Sequence, residues 1–102
     1  MATETDVRDA LRHVIDPEIG VNIVDLGLVY RIEVVGARVR ITMTMTTPAC
    51  PLADYLKELV TSAIRRVVPD AVGVEIDVVS EPPWDPDMMS DEARRQLGEA
   101  ER

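Results

Sequence analysis

Val7, Ala10, Leu11 and Val14 recur at the i, i+3, i+4, i+7 spacing of one helical face, which predicts an amphipathic first helix from about Glu4 to Val14. Thr3 or Thr5 can cap it, and Asp16-Pro17 ends it, because the residue before a proline avoids the α region. After an acidic loop running to Asp25-Leu26-Gly27 the period changes to two. Leu28, Tyr30, Ile32 and Val34 alternate with Val29, Arg31, Glu33 and Val35. Val39, Ile41, Met43 and Met45 then alternate with Arg38, Arg40, Thr42 and Thr44. These runs predict two strands joined by a tight turn at Gly36-Ala37, with the Arg and Thr positions facing solvent. A second helix is expected from about Leu52 to Val68, its apolar stripe being Leu52, Leu56, Leu59, Val60, Ala63 and Val67. Pro69-Asp70 stops it. A third strand sets Val74, Ile76 and Val78 against Glu75, Asp77 and Val79, and the tail from Glu81 to Met89 reads as too proline-rich for regular structure. Ser90 then caps a short helix that Gly98 closes.

The order helix, strand, strand, helix, strand, short helix implies an α+β fold of two layers, a three-stranded sheet with both main helices on one face. A single domain is expected over residues 1–102, with its core at about 4–80 and the proline- and tryptophan-containing tail at 81–98. The composition specifies the core. The chain is 46% hydrophobic but only 3% aromatic, without Phe, so Val, Ile, Leu and Met must fill it.

A net charge of −8 argues against a phosphate-binding surface and hence against nucleic acid as a partner. No run approaches the roughly 18 apolar residues of a membrane span, and the acidic N-terminus lacks the basic and apolar regions of a signal peptide. A cytoplasmic protein is expected. One cysteine excludes an internal disulfide.

That cysteine, Cys50, is the strongest chemical candidate. It lies in Thr46-Thr47-Pro48-Ala49-Cys50-Pro51-Leu52, between the second strand and the second helix. Pro51 suits the first turn of a helix, which makes Cys50 the expected N-cap. A thiol there faces unpaired N–H groups and a positive dipole end, both favouring the thiolate that binds metal and attacks electrophiles. Asp54 opposes this, since a neighbouring carboxylate raises a thiol pKa. A small buried hydrophobe is the competing reading for a lone cysteine.

Gly-rich phosphate loops, G-x-S-x-G and H-E-x-x-H are all missing. The single histidine, His13, points about 100° or more away from the apolar face of its helix and reads as solvated. Zinc sites take four ligands and iron–sulfur clusters usually four cysteines, so one cysteine cannot close either alone. Such a thiol suits a carrier that must let go better than a storage site. Asp16, Glu18, Asp25, Thr46 and Thr47 are the other polar candidates, each of a type that also serves turns and strand ends. Trp84 reads as an anchor for the tail.

Three ordered stretches carry a resemblance. Ile15-Asp16-Pro17-Glu18-Ile19-Gly20-Val21-Asn22-Ile23-Val24-Asp25-Leu26-Gly27-Leu28-Val29-Tyr30, Met43-Thr44-Met45-Thr46-Thr47-Pro48-Ala49-Cys50-Pro51-Leu52 and Pro82-Pro83-Trp84-Asp85-Pro86-Asp87-Met88-Met89-Ser90 resemble the signatures of metal–sulfur cluster assembly factors of SufT/PaaD type. Domains of this kind also open some Mrp/ApbC-type cluster-carrier ATPases. The resemblance covers about Val7 to Gly98 and is nearer to short stand-alone SufT-type members, because the cysteine-rich C-terminal extension of PaaD is missing.

The resemblance implies an α-β-β-α-β fold of the iron–sulfur cluster assembly domain type and a role in maturing iron–sulfur proteins. It makes Cys50 the functional cysteine and transient ligand of a cluster or of iron, with Asp16, Glu18, Thr46 and Thr47 around it. The expected partners are iron–sulfur scaffold or carrier proteins and apo-clients, with a homodimer as one source of further ligands. The expected activity is transfer without enzymatic turnover. Two alternatives stand beside it, an adaptor in the same pathway with a structural cysteine and a thiol-based redox enzyme.

Overall fold

Thr3 starts the first helix with a reciprocal capping box. Its hydroxyl accepts the Asp6 N–H at 3.2 Å, and the Asp6 carboxylate accepts the Thr3 N–H at 3.0 Å. The computed structural model describes residues 3–46 and 50–98, with Cys50 and Pro51 described by backbone alone. Helix α1 covers Glu4–Leu11 and ends earlier than its apolar spacing predicts. The reason lies in the next turn. Ile23 N–H donates to the Val14 carbonyl, and Ile15 bridges to Asn22, so the backbone after Arg12 is committed to an antiparallel pairing. Val14 stays buried all the same.

Strands β1 (Val29–Val35) and β2 (Arg38–Met43) form the hairpin expected at Gly36-Ala37, with Gly36 at φ 59°. A register irregularity between Val29 and Arg31 breaks the strict alternation expected for β1. Met45 and Thr44 lie past the end of β2, and Thr44 is buried rather than solvent-facing. Helix α2 spans Cys50–Val67, opening one or two residues before the expected start, so Cys50 is its first residue. Strand β3 (Gly73–Val78) pairs parallel to β2, giving the order β1-β2-β3. One 3-10 turn at Pro86–Met88 interrupts the tail, a short regular element that proline content does not forbid. Helix α3 (Asp91–Gln96) follows, capped by Ser90 as expected.

The core is aliphatic. Leu11, Ile23, Leu26, Leu28, Ile41, Met43, Leu56 and Ile64 are among its fully buried side chains. Ile64 was not in the expected stripe of α2, whereas Val67 was and is 38% exposed. Buried Leu56, Val60, Ile64 and Val68 follow an i+4 row, one ridge of the helix, and Val67 falls beyond its edge. On the opposite face of the sheet Arg40 spans to Asp77 at 2.7 Å, and that hydrogen bond raises its already high pKa.

Gly27 has φ 81°, and a Cβ there would collide with the Met88 carbonyl oxygen of the tail. Gly20 has φ 82° with nothing within 4 Å of the same position. Gly20→Ala should therefore lose roughly 1–2 kcal/mol, the left-handed conformation alone. Gly27→Ala should lose a further ~1–3 kcal/mol from overpacking against the tail. Urea midpoints of the two variants measure the difference. Equal losses would mean the tail yields freely at Met88.

Candidate functional site

The antiparallel hairpin and the parallel third strand bring the start of β1 and the ends of β2 and β3 to one end of the sheet. Thr44 fastens that end. Its N–H donates to Leu28 O at 2.8 Å, its hydroxyl donates to Val79 O at 2.7 Å, and Val79 N–H donates to Met43 O at 2.8 Å. The chain leaves this end of β2 to begin α2 at Cys50. The acidic loop arrives at the same end through further backbone bonds, Ile23 N–H to Val14 O and Leu28 N–H to Ile23 O, each 3.0 Å. The exit of the acidic loop into β1 and the departure of the chain from β2 thus share one end of the sheet.

Within that loop Asp16 and Glu18 have different surroundings. Asp16 is fully buried, while Glu18 is exposed. Asp16 Oδ1 accepts the Glu18 N–H at 2.9 Å, and the Asp16 backbone closes the turn with Gly20 and Val21. Its other oxygen, Oδ2, is the one buried side-chain polar atom without a hydrogen-bond partner among the described residues. Turn formation explains Oδ1 and leaves Oδ2 without a role. A buried acceptor left unpaired costs about 1–3 kcal/mol, more when charged, so its retention points to a use. Thr46 is half-buried just past β2. Thr47 and the Cys50 side chain lie outside the described residues, and among those described no three His, Cys, Asp or Glu side chains converge on a metal position. His13 is exposed in the turn after α1.

Asp25 has a structural explanation that uses both its oxygens. Asn22 Nδ2 donates to Oδ2 at 2.7 Å, and the Ser90 hydroxyl donates to Oδ1 at 3.0 Å. Ser90 N–H also reaches Asp25 O at 2.7 Å. Trp84 anchors the tail beside it, its indole N–H donating to Leu26 O at 2.7 Å, and the Tyr30 hydroxyl donates to Pro82 O at 2.7 Å. Asn22 and Thr44 are the polar residues that sequence reasoning did not single out. The spacing of Asn22 to Asp25, three residues within a loop, is an Asx-type signal that could have found the first. Thr44 gave none, because its partner Val79 is distant in sequence.

The fold and the grouping of these segments define a small α+β domain with one thiol at the head of its long helix. Residues 4–78 match the family described as iron–sulfur cluster assembly protein, and the chain belongs to that family. It is 48% identical over 100 residues to an Fe-S protein maturation auxiliary factor of Porphyromonas gingivalis, covering 96% of this chain and 93% of that protein. It is 40% identical over 98 residues to the Fe-S protein maturation auxiliary factor YitW of Bacillus subtilis, covering 95% of each. Among solved structures, a domain of unknown function from Bacillus anthracis superposes with a TM-score of 0.87 at 41% identity, covering 93% of this chain and 91% of that one.

The Asp16 oxygen that has no partner among the described residues gives a prediction that orders two variants. Asp16→Asn keeps an acceptor for the Glu18 amide and removes a buried charge, so stability should hold or rise by up to about 1–3 kcal/mol. Asp16→Ala also removes the bond to the Glu18 amide and should be about 1 kcal/mol less stable than Asp16→Asn. Denaturant midpoints decide. A clear loss in Asp16→Asn would show that the charge itself supports the fold.

Proposed function

We propose that this protein is a stoichiometric maturation factor that carries or delivers iron–sulfur clusters, or iron, to apo-proteins through the thiolate of Cys50. The observation that carries the reading is a fully buried Asp16 with one oxygen unpartnered among the described residues, in the loop that enters β1 at the end of the sheet where the chain leaves β2 towards α2, whose first residue is the sequence's one cysteine. The relatives named as Fe-S protein maturation auxiliary factors, matched along nearly their whole length, support the same pathway.

On this proposal Cys50 is the soft ligand or transfer group, favoured as thiolate by the α2 N-terminus. Asp16 accepts a hydrogen bond from the cargo's surroundings or contacts iron transiently. Glu18 is exposed in the same loop as Asp16, and Thr46 and Thr47 shortly precede the thiol in sequence. A single thiolate binds too few iron positions to retain a cluster, which makes release easy. The missing ligands come from a scaffold or carrier protein, from small thiols, or from Cys50 of a second copy across a two-fold axis. Transfer of this kind consumes one cargo per cycle and needs no enzymatic turnover. The proposed compartment is the cytoplasm, where thiols stay reduced.

Reconstitution with iron and sulfide, followed by transfer to an apo-ferredoxin, tests the proposal. Cys50→Ala should lose the visible cluster spectrum and the transfer. Asp16→Asn should remain folded yet transfer roughly tenfold or more slowly, the scale of loss when a group supporting a ligand is removed. The protein should sediment as a monomer or weak dimer without cargo and associate further when loaded. Unimpaired maturation by Cys50→Ala would replace the carrier with an adaptor. Catalytic turnover of a thiol substrate without metal would replace it with an enzyme.

A further inference from the structure

Strand β3 is the outer strand of the sheet, with no strand beside its far edge among the described residues. Val74, Ile76 and Val78 lie along it half-buried against the core, and Glu75 and Asp77 project from the opposite face. Val72, just before the strand, is 75% exposed. An edge strand without a strand neighbour, with an apolar row on one side, is a template for an added strand.

The charge pattern says which strand would fit. The stretch from Val67 to Ala93 holds eight of the nineteen carboxylates and none of the eleven Lys and Arg residues. The rest of the chain has eleven of each, so this stretch accounts for the whole net charge of −8. One cation reaches into it at the sheet. Arg40 Nε and Nη2 both bond Asp77 Oδ2, at 2.9 and 2.7 Å, and Glu75 lies 3.9 Å away. Two carboxylates thus share one guanidinium, and Glu75 remains 68% exposed.

A second copy does not satisfy this edge. Antiparallel pairing of two β3 strands would set Glu75 and Asp77 of each against those of the other, and like charges directly opposed are destabilising. Strand β2 shows what β3 accepts on its inner edge, an alternation of Arg38, Val39, Arg40 and Ile41. We propose that the outer edge of β3 is a docking site for an extended segment of a partner protein in which basic and apolar side chains alternate. The apolar side chains extend the row of Val74, Ile76 and Val78, the basic ones neutralise Glu75 and Asp77, and backbone bonds fix the register.

The proposal does not depend on cluster transfer or on Cys50, and its test uses neither. The probes are two octapeptides, one alternating Arg and Val, the other Glu and Val, added to the isotopically labelled full chain and followed by amide exchange and chemical shifts. The Arg–Val peptide should protect alternate β3 amides, those pointing away from β2, and should bind more weakly as salt rises. The double variant Glu75→Lys, Asp77→Lys should bind it roughly tenfold less tightly, the scale of two reversed cross-strand pairs. Glu75→Gln, at an exposed position that leaves the Arg40–Asp77 bond intact, should give a smaller loss in the same direction and serves if the double variant does not fold. Equal binding of the Glu–Val peptide, no β3 protection at millimolar peptide, or unchanged affinity in the variants would overturn the proposal. Concentration-dependent protection of β3 without peptide would overturn it in favour of self-association.

Discussion

The end of the sheet from which the chain departs for Cys50 depends on how the turn from Asn22 to Leu28 is held. On one side Leu28 O takes the Thr44 N–H at the end of β2. On the other, the tail grips the same turn at Asp25, Leu26 and Gly27 through Ser90, Trp84 and Met88. The backbones come so near at Gly27 that no side chain fits between them. Thr44 continues the connection to Val79, so loop, sheet and tail form one closed circuit of hydrogen bonds around the point where the chain departs for Cys50. The family match ends at residue 78, yet the tail beyond it braces the segment that carries the acidic loop into β1. The order of the site is therefore a property of nearly the whole described chain.

This circuit explains why different parts of the design were legible to different degrees. Periodicity located three strands and two main helices, because each buries one face against a common core and that burial writes itself into the spacing, while the cap residues Ser90 and Gly98 located the short last helix. It failed where a tertiary contact overrode the local pattern. The apolar spacing of α1 runs through Val14, but the Val14 carbonyl is taken by Ile23, which no helix rule anticipates. Ile64 and Val67 are both apolar and one turn apart, and only the packed position of α2 decides that Ile64 goes inside. Thr44 sits in a polar alternation and is buried because Val79 arrives to accept its hydroxyl.

The candidate site divides in the same way. Cys50 stood out from its neighbours in sequence, since Pro51 marks a helix start and no second cysteine competes. Asp16, Glu18 and Asp25 looked alike as loop acids, each with an ordinary role in turns. The structure separates them by their partners. Asp25 has one oxygen bonded to Asn22 of its own loop and the other to Ser90 of the tail, Glu18 faces solvent, and among the described residues Asp16 is the one sealed in with an oxygen unpartnered. No sequence pattern distinguishes a carboxylate that completes a turn from one that completes a turn and keeps an oxygen in reserve. That distinction exists only as burial, and it gives Asp16 a stronger claim to a role than its motif alone.

The two proposed sites are geometrically linked through the parallel pairing of β2 and β3. Met43, which ends β2, pairs with Val78, which ends β3, and the chain departs from the same end of the sheet to start α2 at Cys50. A segment laid along the outer edge of β3 would therefore run about 20 Å, the length of six extended residues, and one of its termini would emerge at that end. If clients supply the segment, docking on β3 holds the rest of the client near the thiol at an effective concentration far above its bulk value. A carrier with one thiolate gains most from such tethering. It can hold its cargo weakly, because the acceptor is already present when the cargo leaves. Weak cargo binding at Cys50 and directional binding at β3 are then complementary parts of one arrangement, in which specificity resides in the strand edge and lability in the single ligand.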